Sequence, residues 1–440
     1  MTPSKDYLRV KGFSDLLSAG VVVLIANAIF FLAVFTIDAA IDHKRLYDRV
    51  AEAAAANAIN DQDYPPELAT YADRFTDCVG LSLNLGGSPD RSARELFRDM
   101  EVPRVEGLGA CPVLLRMLND KSSVTLASYA RYWHGYQIFS KPFLYFSSVA
   151  NLRYIFASLL IIAITLFSLS ISTALTSVDG ALIGAWFAGG FILLTDGADL
   201  ANVFTHSISL VSIFSAAALM FWALRAGHRR YLFLMAVAAG CVTSFFDLLF
   251  NPPLALSALV VGAAAALNSD ELQARDVIRL TLVIAFGWAI GFFGTYVCRF
   301  GLAVGLSDTP RETFQEIYTA GMFRISGTEY KIRQIVGWAT VQNFGYPMIR
   351  PSFGVFVLFT GMVAATLWRR HGTITVRPAY LAMLLPTPIC VLWYEVLRNH
   401  SQHHHWFTYR SASFALVCLA AAGLFSLSRP SNSLAALDHR

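Results

Sequence analysis

The chain consists of long apolar runs separated by polar segments. The first run covers about Leu17 to Ile37, which as a helix is long enough to span about 30 Å of hydrocarbon. Nine further runs lie at about 154–176, 181–195, 205–224, 231–250, 254–267, 278–304, 352–368, 378–397 and 411–427. The runs at 181–195 and 254–267 are short for a span. The pattern predicts an all-α polytopic membrane protein with about ten transmembrane helices.

The composition supports a membrane environment. Hydrophobic residues make up 55% of the 440 residues and charged residues only 15%, against about 25% charged residues in soluble domains. Mean hydropathy is +0.51. The net charge of +4 provides no basic stripe of the kind that nucleic-acid binding requires. We therefore expect membrane lipids, and no nucleic acid, among the partners.

The basic residues predict the orientation. Lys5, Arg9 and Lys11 precede the first run, which lacks the short apolar core and cleavage site of a signal peptide and is expected to stay as an anchor. Because short cytoplasmic loops are enriched in Lys and Arg, the basic loops indicate that both termini are cytoplasmic. The basic positions are Arg225, Arg229, Arg230, Arg275, Arg279, Arg369 and Arg370, with Arg429 and Arg440 in the tail.

This orientation divides the chain into five regions. Two of them are exoplasmic loop regions, and the first has a mixed composition that predicts helices over Asp48–Asn60 and Arg91–Met100. The regions are an N-terminus with helix one at 1–37, a loop domain at 38–150, helices two to seven at 151–305, a second loop at 306–350, and helices eight to ten with a cytoplasmic tail at 351–440.

The six cysteines fall into two groups. Cys78 and Cys111 lie in the first loop, where an oxidising exoplasmic compartment would join them in a disulfide. Two free thiols are the alternative. The other four lie in apolar runs and are expected to be small packing residues: Cys241, Cys298, Cys390 and Cys418.

Histidines concentrate in the segment Arg398–Arg410, between the last two runs. One interpretation is a solvated interfacial loop. A second is a site for an anionic or sugar substrate, with Arg398 and Arg410 binding phosphate. A third is a zinc site, since His400 and His404 would share a helix face. A zinc site would need a third ligand from another segment. The sequence therefore requires no cofactor, and a divalent metal ion stays an alternative.

A second polar and aromatic segment, Tyr129–Tyr136, precedes helix two. Its rings could form the aromatic belt that anchors helices at the headgroups. A belt does not explain Arg131 and His134, however. Aromatic faces stack on sugars while Arg and His supply hydrogen bonds and charge, so Trp133 and Tyr136 are also candidates for binding carbohydrate or lipid phosphate.

Acidic residues near the outer face are candidate general bases. Asp38 and Asp42 directly follow helix one, one helical turn apart, and Asp77 precedes Cys78. A carboxylate near the membrane surface can deprotonate an acceptor hydroxyl. Their spacing does not decide which one would do so.

Two further acids lie within apolar runs. Asp247 and Glu395 are placed near the outer ends of helices five and nine. Because a carboxylate in an apolar run costs about 2.5–3.5 kcal/mol on insertion scales, such residues usually face a cavity or a partner. A structural ion pair, for example with Arg299, is the alternative.

The second outer loop has an amphipathic character. Glu312, Glu316 and Tyr318 fit an interfacial segment, and Lys331 and Arg333 either contact lipid phosphates or form a solvated face. Such a loop could act as a substrate lid.

Three segments carry a resemblance: Tyr132–Tyr136, Phe245–Leu249 with the prolines that follow, and Asn399–Arg410. They resemble a set of largely uncharacterised bacterial polytopic membrane proteins, which implies a bacterial inner membrane and names no reaction.

In architecture the chain is similar to the GT-C membrane glycosyltransferases, with a long exoplasmic loop after helix one and a later outer loop. That similarity implies a polyprenyl-phosphate-sugar donor and places Asp38 or Asp42 at the catalytic acid, with Asp77 in reserve. The paired acidic dipeptide of that class does not follow helix one here.

The leading hypothesis is therefore an inverting glycosyltransferase of the cell envelope that builds a polysaccharide or glycolipid. Asp42 or Asp77 would be the base, Arg410, Arg398 and His400 would stabilise the departing phosphate, and Trp133 and Tyr136 would hold a sugar. The alternatives are a transporter or flippase of a lipid-linked saccharide and a metal-dependent transferase or hydrolase built on the histidines. The candidate substrate-binding residues are Arg131, Trp133, His134, Tyr136, Asp247, Glu395, Arg398, Asn399, His400, His404, Tyr409 and Arg410.

Overall fold

The computed structural model describes residues 8–10, 12–64, 66–67, 70–71, 73–86, 95, 97–98, 100–176, 179–247, 249–268, 273–326 and 332–428. Several residues discussed above lie outside the described residues: Lys5, Lys11, Leu248, Lys331, Arg429, Arg440 and most of the predicted helix at Arg91–Met100.

The described chain is predominantly helical. Its α-helices are α1 (Phe13–Ala40), α2 (His43–Ala55), α3 (Arg74–Leu85), α4 (Ala110–Asn119), α5 (Gln137–Phe146), α6 (Val149–Leu175), α7 (Gly180–Leu194), α8 (Gly197–Asn202), α9 (Phe204–Arg225), α10 (Leu232–Phe246), α11 (Pro252–Ala266), α12 (Ala274–Leu306), α13 (Pro310–Ser326), α14 (Trp338–Met348), α15 (Pro351–His371), α16 (Pro378–Leu381), α17 (Pro386–Val396), α18 (Arg398–His403) and α19 (His405–Ser426). Short 3-10 helices lie at Lys121–Ser123, Arg229–Tyr231 and Ala382–Leu384.

Eight helical segments of the described chain are long and apolar enough to cross a membrane: α1, α6, α9, Arg229–Phe246, α12, α15, Pro378–Val396 and α19. The chain is therefore a multi-pass helical membrane protein by the length and hydropathy of its helices. The two runs that are short in the sequence form α7 and α11, with 15 residues each. Nearly all of α11 is buried, because other helices of the bundle surround it.

Small residues set the closest helix packing, between α10 and α12. A Cβ atom at Gly240 would lie 2.2 Å from the carbonyl oxygen of Trp288, and one at Gly291 would lie 1.9 Å from that of Val237. No larger side chain fits at either glycine without moving a helix. Close backbone approach through small residues is a common means of packing helices in membranes.

Polar contacts define two ends of the helix bundle. At one end, Asp179 before α7 pairs with Arg370 at 3.2 Å and with His371 at 2.7 Å, both in the last turn of α15. At the other end, Arg410 near the start of α19 pairs with Asp199 of α8 at 2.7 Å. The last residue of α19 lies at the same end as Asp179, because Ser426 O accepts from Thr375 N at 2.7 Å, shortly after the end of α15. Helices α7 and α19 thus both run between the two ends.

The loop domain, residues 38–150, packs on the end that carries Arg410. It contains α2 to α5 and two antiparallel hairpins, β1 (Pro66–Glu67) with β2 (Thr70–Tyr71) and β3 (Glu101–Arg104) with β4 (Thr125–Ser128). A disulfide joins Cys78 in α3 to Cys111 in α4. The four other cysteines are free thiols in the helical bundle.

The helix predicted at Asp48–Asn60 lies earlier in the structure, because α2 begins at His43. Asp42 is its N-cap and accepts a hydrogen bond from Lys44 N at 3.0 Å. The helix ends at Ala55, and Asn57 takes a positive φ of 57° two residues later. A side-chain cap of this kind satisfies one of the free N–H groups of the first turn, so the capping residue explains why the helix begins at His43.

Candidate functional site

A cavity of about 800 Å³ lies between the loop domain and the helices α13 and α18. Five separate stretches of sequence contribute to its walls. The residues of this basic cavity are Phe75, Arg104, Tyr129, Arg131, Glu312, Gln315, Glu316, Thr319, Ala320, Phe323, Arg324, His400, His403 and His404. Two segments singled out in the sequence, around Tyr129–Tyr136 and Arg398–Arg410, therefore contribute to one cavity.

Three guanidinium groups line the basic cavity, from Arg104, Arg131 and Arg324. Arg131 stacks over the ring of Tyr129, with its Cζ atom 4.0 Å from the ring centroid, and lies 3.9 Å from Glu316. A stacked guanidinium keeps its planar N–H groups available at its edge, and these suit bidentate binding of phosphate or carboxylate.

The Arg324 side chain is held by its own helix and by the loop domain. It donates to Ala320 O at 2.6 Å, one turn earlier in α13, and also to the Tyr132 hydroxyl. The guanidinium lies 5.5 Å from the centroid of the Tyr132 ring. These contacts restrain a long flexible side chain, which reduces the entropy lost when it binds a ligand.

Two of the histidines that line the basic cavity, His400 and His404, are neutral at neutral pH. His400 Nε2 lies 3.0 Å from Leu249 O, and since a carbonyl oxygen only accepts, this nitrogen must carry the proton. Burial, with the nearby Arg324 guanidinium as a further cause, lowers the pKa of His400 to about 3. Burial and the neighbouring histidines hold the pKa of His404 well below its usual value. Neither of these two histidines therefore adds positive charge to that of the arginines.

A smaller chamber of about 70 Å³ adjoins the basic cavity. It shares Phe75, Arg104, Tyr129, Arg324, His400 and His404 with the basic cavity and adds Thr76, Val79, Tyr132, Phe250 and Phe407. The rings of Phe250 and Phe407 pack on His206, with centroids 4.3 and 5.6 Å from its ring. The chamber thus ends at a buried polar group of the helical bundle.

That polar group is a network around Asp73, which the sequence analysis did not single out. Asp73 caps α3 by accepting from Thr76 N at 3.0 Å, and it also accepts from Thr76 Oγ1 at 2.7 Å. It lies 3.0 Å from His206 Nε2. Its backbone N–H donates to Asp199 at 2.8 Å, and Asp199 in turn pairs with Arg410. Burial raises the pKa of Asp73 despite the hydrogen bonds from Thr76. An aspartate three residues before a threonine was the available signal, but it marks many ordinary helix N-termini.

The three predicted general bases do not line the basic cavity. Asp77 is fully buried and paired with Arg153 at 2.5 Å. Asp38 is buried and paired with Lys141, and Asp42 caps α2. Each carboxylate therefore has a structural partner, and the role of general base stays a prediction for all three.

Asp247 and Glu395 hold backbone turns and do not pair with Arg299. Asp247 accepts from the N–H groups of Phe250 and Asn251, both at 2.9 Å. Glu395 accepts from Gly337 N at 2.9 Å and from Thr340 N at 3.2 Å, at the start of α14. Arg299 donates instead to two backbone carbonyls, Tyr132 O at 3.0 Å and Phe97 O at 3.1 Å.

Trp133, His134 and Tyr136 belong to the packed core and not to the cavity lining. Trp133 donates from its indole N–H to Thr295 O at 3.2 Å and is 1% exposed. His134 lies 3.0 Å from Tyr129 O, and burial lowers its pKa to about 3. The second half of the segment thus faces the core, while Tyr129 and Arg131 in its first half face the cavity.

The segment around Arg398–Arg410 divides in the same way. His400 and His404 line the cavity, whereas Tyr409 donates to Thr195 O at 2.9 Å within the bundle and Arg410 is fully buried against Asp199. Two other residues of the segment contact the loop at 306–350: Arg398 donates to Gln334 O at 3.5 Å, and Asn399 donates to Phe323 O at 2.8 Å.

The zinc alternative lacks a ligand set in the part of the chain that the structure describes. The His400 and His404 rings are neighbours, with centroids 4.8 Å apart. His, Cys, Asp and Glu side chains there form no group of three that could hold a metal ion.

Comparison of the chain with protein-family models, with curated proteins and with solved structures finds no match.

Proposed function

We propose that the basic cavity is the active site of a membrane glycosyltransferase that moves a sugar from a polyprenyl-phosphate donor to a glycan or lipid acceptor. The observation that carries the proposal is the convergence of Arg104, Arg131 and Arg324 with Glu312 and Glu316 in one cavity. Guanidinium groups bind the phosphate of such a donor, and a carboxylate accepts the proton of an acceptor hydroxyl.

The chemical step balances with these groups. The acceptor oxygen bonds to the anomeric carbon of the sugar as the bond from that carbon to the phosphate oxygen breaks. The hydroxyl proton passes to Glu316, and the electron pair of the broken bond leaves with the polyprenyl phosphate. Arg131 and Arg324 stabilise the negative charge that develops on the phosphate. Attack opposite the leaving group inverts the configuration at the anomeric carbon.

Glu316 replaces the aspartates of the loop domain as the proposed base. It lies 3.9 Å from Arg131 and its side chain is half-exposed, so an acceptor can reach it, whereas Asp38 and Asp77 are buried in ion pairs. The aromatic rings of Tyr129 and Phe323, which line the same cavity, suit stacking on a sugar ring.

The proposal includes a topology. If α7 and α11 cross the membrane together with the eight longer segments, ten crossings place both termini in the cytoplasm and the basic cavity on the exoplasmic face. The arginines of Arg225–Arg230 and Arg369–Arg370 then lie inside, as the charge rule requires. A bacterial inner membrane with the GT-C arrangement of exoplasmic loops fits this orientation.

The test uses the purified full chain reconstituted in lipid vesicles. The probes are polyprenyl-phosphate-linked glucose, mannose, galactose and arabinose, each supplied with a mixture of short oligosaccharide acceptors, and mass spectrometry measures the free polyprenyl phosphate released. We expect release from at least one donor and its loss in Glu316→Gln. The matched control is Glu106→Gln, an exposed carboxylate of the loop domain outside the cavity lining.

The outcomes separate the alternatives. Full release by Glu316→Gln would remove this residue from the base role. Binding of a donor without any release, together with movement of that donor between leaflets, would replace the transferase by a flippase. Release that requires an added divalent cation and stops with a chelator would favour the metal-dependent alternative.

A further inference from the structure

The helix α13 has two chemically different faces. One face lines the basic cavity with Glu316, Thr319, Phe323 and other residues. The opposite face carries Phe314, Tyr318, Met322 and Ile325, each between 42% and 53% exposed. Residues three and four positions apart share a helix face, so these four form one continuous apolar stripe. Phe300 of α12 contacts its first residue, with ring centroids 5.5 Å from Phe314, and each of the four side chains stays exposed over close to half of its surface in the described structure.

Charge on α13 follows the same division. Both carboxylates of the helix, Glu312 and Glu316, line the cavity. At 100° per residue, Arg311 falls on the side of the apolar stripe, and it is exposed. An exposed apolar stripe with a cation at its edge is the arrangement of helices that lie in the interface of anionic membranes.

The stripe continues the apolar surface of a membrane-spanning helix. Phe293 and Val297 of α12 are exposed apolar side chains on a helix long and apolar enough to cross a membrane. Only Ser307, Asp308 and Thr309 separate the end of α12 from the start of α13. Because this connection is short, α13 begins close to the level at which α12 leaves the hydrocarbon.

We propose that α13 lies in the bilayer interface, with its apolar stripe inserted among anionic phospholipids and its polar face forming a wall of the basic cavity. The inserted side chains are Phe314, Tyr318, Met322 and Ile325, and Arg311 contacts the lipid phosphates. Insertion in lipid removes from water the apolar surface that these four side chains expose in the described structure, which is favourable. The bilayer is thus a structural partner of the cavity, whatever reaction the cavity carries out.

Spin labelling measures the environment of each face. A cysteine at Met322 on the stripe is compared with one at Thr319 on the cavity face, each labelled with a nitroxide in the full chain in vesicles of phosphatidylcholine and phosphatidylglycerol. The unmutated chain, with its free thiols, is the labelling blank, because Cys298 is partly exposed. Collision rates with oxygen, which concentrates in hydrocarbon, are compared with those of a water-soluble nickel chelate.

We expect the label at position 322 to collide more often with oxygen than with the chelate, and the label at position 319 to show the reverse. A label at 322 that collides mainly with the chelate would overturn the proposal. So would spin–spin broadening at 322 that disappears on dilution with unlabelled protein, because the stripe would then contact a second copy of the chain. Neither result depends on the glycosyltransferase assignment.

Discussion

The Arg153 guanidinium donates two hydrogen bonds to one carboxylate oxygen of Asp77, at 2.5 Å from Nη2 and 3.2 Å from Nε. Its third contact is to Ala58 O at 2.8 Å. The other Asp77 oxygen accepts from Phe204 N at 3.3 Å. This buried pair joins α3 of the loop domain to α6 and α9, and it therefore positions the wall of the cavity that contains Phe75.

The first prediction concerns this pair. Asp77→Asn should lower the stability of the folded protein by about 3–5 kcal/mol, because removing one partner leaves a buried charge without compensation. The loss is measured as a lower thermal unfolding midpoint in detergent. The control is Glu52→Gln, which removes an exposed partner of Arg49 and should change the midpoint little. An Asp77→Asn protein with unchanged stability and no activity would return Asp77 to the active site.

The second prediction concerns the charge of the basic cavity. Arg324→Gln should weaken binding of polyprenyl phosphate about 10- to 100-fold, since a hydrogen bond to a charged group contributes about 1.5–3 kcal/mol. Arg369→Gln, which changes an exposed arginine near the opposite end of the bundle, is the matched control. Binding is measured by titration in nanodiscs at fixed ionic strength. Equal effects of the two substitutions would show that binding reflects general surface charge and not the cavity.

The third prediction concerns pH. Burial lowers the pKa of His400 from 6.5 to about 3, so the unfolded chain takes up a proton at this residue first as the pH falls. The stability that His400 contributes above pH 6.5 is therefore lost progressively as the pH falls towards 3. At pH 5 this residue alone lowers the free energy of unfolding by about 2 kcal/mol relative to its value above pH 6.5.

The test of this pH dependence compares unfolding midpoints at pH 7 and pH 5. His400→Gln can still donate to Leu249 O but does not titrate, so its midpoint should fall less than that of the unmutated chain. His228→Gln, at an exposed position, should behave as the unmutated chain does. An identical fall in all three proteins would show that His400 is not buried as described.

The fourth prediction concerns the disulfide between Cys78 and Cys111, which are 33 residues apart. Replacing both by serine should lower stability by about 3–4 kcal/mol, because the loop gains conformational freedom in the unfolded chain. The measurement is the unfolding midpoint with and without reductant, together with maleimide labelling under denaturing conditions. Cys298→Ser, at a free thiol, is the control. Labelling of all six cysteines before reduction would show that the bridge does not form.

The helical architecture could be read from the sequence because it depends on local composition. An apolar run in lipid satisfies its backbone hydrogen bonds only within its own helix, so each run became helical near the predicted boundaries. The run at 378–397 is divided into α16, a 3-10 helix and α17. The two loop cysteines were likewise recognisable from their position. The start of α2 was less predictable because a single capping side chain, Asp42, decides it.

The candidate site depended on tertiary structure. Arg104, Glu316 and Arg324 have no motif in common, and they meet only because α13 folds back over the loop domain. Conversely, Asp77 and Arg410 are residue types that are common in active sites. In the structure Asp77 pairs with Arg153 and Arg410 pairs with Asp199, partners that are far away in the sequence.

The sequence by itself determined the membrane-embedded helices and the segments in which polar chemistry concentrates. Only the tertiary structure decided which polar side chains face the cavity and which are buried in ion pairs. The physical reason is one of range: the free energy of placing an apolar run in lipid is a sum over neighbouring residues. The state of a charged group depends instead on whichever side chains the fold brings within a few ångströms.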